Sequence, residues 1–151
     1  MSARIEEELL SRFESEQQKA MLNILFTANW FKAIQSQALD PFDISMQQYN
    51  ILRILRGAKG APVNMNNVKS RMIDRAPNAT RLTDKLISKG LVERERSIDD
   101  RRVVHLMITE KGKELIIAID KRLRPALKEA LARLNDQESM TLNMLLDKFR
   151  S

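Results

Sequence analysis

Asn78, Thr80, Arg81 and Lys85 lie close together on the stretch Arg75–Val92. Asparagine and arginine each offer a two-pronged hydrogen-bonding edge, which suits adenine and guanine in the major groove of duplex DNA. Threonine and lysine can bind phosphates or base edges. A little further on, Asp100, Arg101 and Arg102 sit in the run Asp99–Val103. An arginine carried on a hairpin tip can enter a narrow minor groove, where the negative potential is enhanced. A neighbouring aspartate can hold its guanidinium through a fork-shaped pair. Taken singly, the first group could be a polar helix face and the second a charged turn; together they are two tools that suit one ligand.

The pattern of the chain says which elements must position them. Apolar residues from Leu9 to Phe31 recur at helical intervals with no Gly or Pro between them, which predicts one long helix from Ile5 to about Leu39, stopped at Asp40-Pro41. Ser45, with Gln48 three residues on, has the form of a capping box for a second helix ending at Gly57. Asn64 can cap a short helix to about Met72. Proline is favoured in a first turn, so Pro77–Lys89 is the predicted next helix, closed by Gly90. The period then changes. Leu91–Arg96 and Arg102–Ile108 alternate as strands around the charged loop Ser97–Arg101. Thr109 caps a long helix in which Pro125 predicts a kink, and Asn135 with Glu138 caps the last one. The fold class expected is mainly α (α+β): a winged helix-turn-helix core over residues 41–112, flanked by an N-terminal helix over 1–40 and C-terminal helices over 113–151. The terminal helices carry apolar stripes too long for the small centre to cover, so a second copy of the chain is the simplest partner.

Composition agrees. Hydrophobic residues make up 43% of the 151 residues, enough for a core, and the low aromatic content of 5% favours helices over a sandwich. The net charge is +6, and the excess is central: Lys69–Lys113 holds 12 basic and 7 acidic residues, whereas Met1–Gln48 holds 4 and 7. A localised basic patch suits phosphate neutralisation with counterion release. No apolar run is long enough to cross a membrane. The opening residues, with Glu6, Glu7 and Glu8, do not have the form of a secretory signal, so a cytoplasmic location is expected. Cysteine is absent, which excludes a disulfide framework, a thiolate zinc site and a thiol switch. With one histidine, His105, no metal site and no cofactor are expected. No nucleophile–base arrangement and no glycine-rich phosphate loop is present, so no enzymatic activity is expected.

At this point the sequence resembles the MarR family of bacterial transcriptional regulators. The resemblance lies in Ile44–Leu55, in Asn78–Arg94 and in Asp100–Gly112, the last having the form of the family's wing signature: an Asp-x-Arg, alternating apolar residues and Thr-x-x-Gly. It implies a homodimer built by the first and last helices and binding a pseudo-palindromic operator in double-stranded DNA. It places Asn78, Thr80 and Arg81 in the major groove and makes Arg102 the wing arginine, with Asp100 as its partner and Arg101 adjacent. The helix before the recognition helix departs from the family's usual Leu-Ala pattern, carrying Asn64-Met-Asn-Asn67 and Val68. Many relatives release DNA when a small aromatic or anionic effector binds between the dimer helices and the DNA-binding lobe. Trp30, Phe31, Phe42 and Tyr49 are candidates to line such a pocket, or they are ordinary core residues. The reading from sequence is thus a DNA-binding regulator, most simply a repressor; the alternative is a winged-helix protein-interaction module without DNA binding.

Overall fold

The computed structural model describes residues 4–75 and 78–151. Helices α1 (Ile5–Leu9) and α2 (Glu16–Leu39) lead through a short 3-10 turn (Asp40–Phe42) into α3 (Met46–Gly57). Strand β1 (Val63–Asn64), helix α4 (Met65–Arg71) and helix α5 (Ala79–Ser88) follow, then the hairpin β2 (Val92–Arg96) and β3 (Val104–Ile108). Helices α6 (Glu110–Leu131) and α7 (Asp136–Arg150) complete the chain. This is a winged helix-turn-helix with helical extensions, as the order of periodicities predicts.

The caps are those the sequence announces. The Ser45 hydroxyl accepts from the N–H of Gln48 while the Gln48 side chain accepts from the N–H of Ser45, at 3.1 and 3.0 Å. Asn64 accepts from Asn66, Thr109 from Gly112, and Asn135 and Glu138 exchange a reciprocal pair. Each satisfies backbone donors that a helix start leaves open. Pro77, expected inside the first turn of α5, lies outside the described residues; the helix begins at Ala79 after Asn78.

Two expectations are corrected. The single helix from Ile5 to Leu39 is two helices. Leu10 adopts a left-handed conformation with φ 48°, and Ser15 opens α2 by accepting from the N–H of Gln18. Two polar choices override the apolar period: Ser11 donates to the carbonyl of Leu9, and Gln18 accepts from the N–H of Glu14. An ion pair from Lys19 to Glu6 then holds α1 near the start of α2. The second correction is a third strand. Val63 and Asn64 pair antiparallel with Leu106 and His105, so the sheet has the order β1-β3-β2. Two residues are too few for a periodic signal.

The core gathers Ile51, Leu52 and Leu55 of α3, Val68 of α4, Leu86 of α5, Leu106 of β3, and Ile116 and Ile119 of α6, all essentially inaccessible to solvent. It lies under the winged lobe and the first half of α6. The outer parts of the molecule differ. Met21, Ile24 and Leu25 of α2, Leu131 at the end of α6, and Met140, Leu142, Leu145 and Phe149 of α7 are exposed.

Candidate nucleic-acid interface

Helix α5 divides cleanly. Ala79, Leu82, Thr83 and Leu86 are buried, and Asn78, Thr80, Arg81, Asp84 and Lys85 are turned outward. Thr83 is a polar residue on the inner face, and its hydroxyl is satisfied by donating to the carbonyl of Ala79 at 2.8 Å. The segment entering α5 is tied to α3: Gln47 donates to Asp74 at 2.7 Å, and Asn50 accepts from the N–H of Ile73 at 2.9 Å.

The far end of α5 is closed by a Schellman turn, in which the N–H of Leu91 donates to Leu86 and that of Gly90 to Ile87. Gly90 has φ 71°, which a side chain would resist. The hydroxyl of Thr109 then donates to the carbonyl of Gly90 and accepts from the N–H of Gly112. A Cβ on Gly112 would collide with the carbonyl of Leu91. The Thr-x-x-Gly pattern is therefore a joint that holds the end of α5, the root of the wing and the start of α6 together.

The wing is a five-residue ladder, Val92–Arg96 against Ile108–Val104. Its tip is turned by the N–H of Ser97 donating to Val103 and that of Val103 to Asp100. Arg101 and Arg102 are both exposed there, beside a nearly fully exposed Ile98. Asp100 departs from the expected role. Its carboxylate accepts from the backbone N–H of Arg102 at 2.9 Å, an Asx turn rather than a fork on the guanidinium. The carboxylate therefore shapes the turn and leaves the guanidinium of Arg102 to project. Arg94 of β2 instead pairs with Asp84 of α5 at 3.0 Å, bracing the wing against that helix. Lys69 and Arg71 lie in the last turn of α4.

Phe42 and Tyr49 lie on different clefts, and Trp30 packs on Phe31. Trp30 meets Phe31 edge-on at 4.9 Å, under the guanidinium of Arg133. Phe42 is half-buried beside Ile44, Leu91 and Leu115, on a cleft of about 510 Å³. Tyr49 lies on a separate, mostly apolar cleft of about 580 Å³ with Leu123, Leu127 and Arg124. The tyrosine is part of a network that sequence reasoning missed. Its hydroxyl donates to Asp120 of α6 at 2.5 Å, Arg56 donates to the other carboxylate oxygen at 3.2 Å, and Arg53 approaches the tyrosine oxygen at 3.4 Å. Burial alone would raise the Asp120 pKa, but the hydrogen bonds from Tyr49 and Arg56 hold it below the ordinary value. Burial and the neighbouring carboxylate push the Tyr49 hydroxyl up. A signal existed: Asp120 falls on the inner stripe of α6 between Ile116 and Leu123, where a charge needs a partner.

Comparison with known proteins bears on family and fold. Residues 33–119 match the family described as Transcriptional regulator SarA/Rot. The transcriptional repressor MprA of Escherichia coli K12 is 35% identical over 74 residues, 49% of this chain and 42% of its own length. The chain spans about half the length of the curated relatives it matches. A MarR transcription factor from Planctomyces limnophilus superposes with a TM-score of 0.70 at 34% identity, over 90% of this chain and 98% of that one. A mutant MarR from E. coli, in complex with operator DNA, superposes with a TM-score of 0.76 at 26% identity, over 92% and 99% of the two chains.

Proposed function

The chain belongs to the SarA/Rot family of transcriptional regulators, DNA-binding proteins of the MarR winged-helix kind, and on that premise we propose that it is a repressor acting as a homodimer on a pseudo-palindromic operator in the bacterial cytoplasm. The observation that carries this reading is the exposed face of α5. Its apolar residues are used up in the core, and Asn78, Thr80, Arg81 and Lys85 remain outward beside a wing tipped by Arg101 and Arg102. In this reading α5 enters the major groove with its N-terminal residues against base edges, and the wing arginines lie along the adjacent minor groove.

The dimer is supported by the apolar side chains that α2 and α7 leave exposed. Two protomers joined along these helices would present two α5 helices to one side of a duplex. Release by a small effector is the last part of the proposal. It is supported by the cleft between α3 and α6, where Tyr49, Leu123 and Leu127 meet Arg53 and Arg124. An aromatic or anionic molecule there would touch both the lobe and the helix that leads to the dimer.

Selection of bound sites from a random duplex library tests the reading. The expected product is a site with two-fold symmetry, bound with an affinity that falls steeply as salt rises, because neutralised phosphates release counterions. A selection that enriches no sequence, or an affinity indifferent to salt, would favour a protein-interaction module instead.

A further inference from the structure

Lys89 caps the C-terminal end of α5, and its side chain leaves that helix altogether. Its ammonium donates to the Asp43 carboxylate at 2.9 Å and also contacts the main-chain carbonyl of Asp43. Asp43 forms the left-handed turn, φ 51°, between the end of α2 and the start of α3. The carbonyl of Lys89 accepts in turn from the ammonium of Lys111, in the first turn of α6, at 2.8 Å. The chain leaves the winged lobe by two routes, backwards into α2 and forwards into α6. Both routes are fastened to the same residue.

Stability does not account for this arrangement. The Asp43 side chain is 97% exposed, and an ion pair so open to water adds little to folding. The end of α5 is already closed by the Schellman turn and by Thr109. What the contact adds is a direct tie between the end of α5 and the turn that follows α2. In a dimer joined through α2 and α7, that tie bears on the separation of the two reading helices, and half-site spacing follows that separation.

We propose that Lys89 and Asp43 are a positioning pair that sets the half-site spacing this protein accepts. The proposal rests on the reading of a DNA-binding dimer given above. It differs from a phosphate-contact role for Lys89, in which Asp43 would only blunt a useful cation.

The test uses the selected operator and two versions with its centre one base pair shorter or longer, bound by wild type, Asp43→Asn, Lys89→Met, Lys89→Glu and the Asp43→Asn/Lys89→Glu double variant. Asparagine tolerates the left-handed backbone that residue 43 requires. The expected result is a sharp spacing preference in wild type that flattens in each single variant, with several-fold weaker binding to the preferred site. The double variant should regain part of the Lys89→Glu loss, because a neutral amide at position 43 does not repel a carboxylate at position 89. An unchanged spacing profile, with the Lys89→Glu loss the same whether or not Asp43→Asn accompanies it, would overturn the proposal and make Lys89 a phosphate ligand; the salt dependence of the Lys89 variants would then be shallower. Thermal unfolding of each variant separates misfolding from mispositioning, with Lys89→Met as the mildest change. A wild-type chain that selects no duplex would overturn the DNA-binding reading and this proposal together, whereas failure of the pair alone leaves wild-type selection intact.

Discussion

Helices α3 and α7 are both amphipathic and both begin with a capping box, yet α3 buries Gln48, Tyr49, Ile51, Leu52, Ile54 and Leu55 while α7 buries nothing. The same kind of sequence is finished in one place and unfinished in the other. Around α3, the other helices of the lobe and the sheet close over the apolar face. Along α7, Leu142, Leu145 and Phe149 face solvent in the single chain. The contrast teaches that the core is closed by the lobe together with the end of α2 and the first half of α6, and that α7 takes no part in it. The lobe is therefore closed within one chain, while the apolar face of α7 stays open.

The largest effect that would test this division is in the lobe. Leu52→Ala removes a fully buried side chain and should lower the unfolding free energy by about 2–5 kcal/mol in a urea titration. A loss under about 1 kcal/mol would mean the lobe is less self-sufficient than α3 suggests. In the helical arms, Leu145→Glu with Phe149→Glu should lower that unfolding transition only by the contribution of association and remove its dependence on protein concentration. Sedimentation should instead show a shift from dimer to monomer, each apolar side chain being worth about 1.5–3 kcal/mol when fully buried. A dimer that survives the double change places the interface elsewhere. On the reading face, Arg81→Ala should cost about 1–3 kcal/mol of operator affinity and relax selection at one base position, with the dimer unchanged. Equal weakening on every sequence would assign Arg81 to phosphate. The smallest effect concerns the link between lobe and arm. Because the Asp120 pKa is depressed in the folded chain, its contribution to stability is complete above the ordinary carboxylate range and is lost as pH falls through the depressed value. Asp120→Asn should therefore flatten the acid side of the stability–pH curve; an unaltered curve would show that the carboxylate charge is not what joins α3 to α6.

Most of the reading head is legible in the sequence because its signals are local. The caps at Ser45, Asn64, Thr109 and Asn135, the turn at Gly90 and the switch of period at Leu91 each depend on residues within a few positions of one another. The exposed face of α5 is legible for the same reason, since burial of Leu82 and Leu86 decides where Asn78 and Arg81 point. What escapes depends on partners far along the chain. Strand β1 exists only because β3 lies beside Val63. The Tyr49–Asp120 bond spans 71 residues, and the Lys89–Asp43 contact spans 46. The break between α1 and α2 is a different failure: Ser15 with Gln18 carries a local capping signal that the apolar spacing of Leu9 and Phe13 outweighs. Phe42 and Tyr49 line different clefts, because side-chain type says nothing about which wall of a lobe a residue occupies.

The Thr109 joint has one more consequence. Its partners are a hydroxyl, two amides and two carbonyls, all neutral, so dissolved ions have little hold on it. The grip that Arg81, Arg101 and Arg102 would exert on phosphates is ionic and weakens with salt. Raising the salt should accordingly strip the protein from its duplex with the head still assembled, ready to bind again on dilution without refolding.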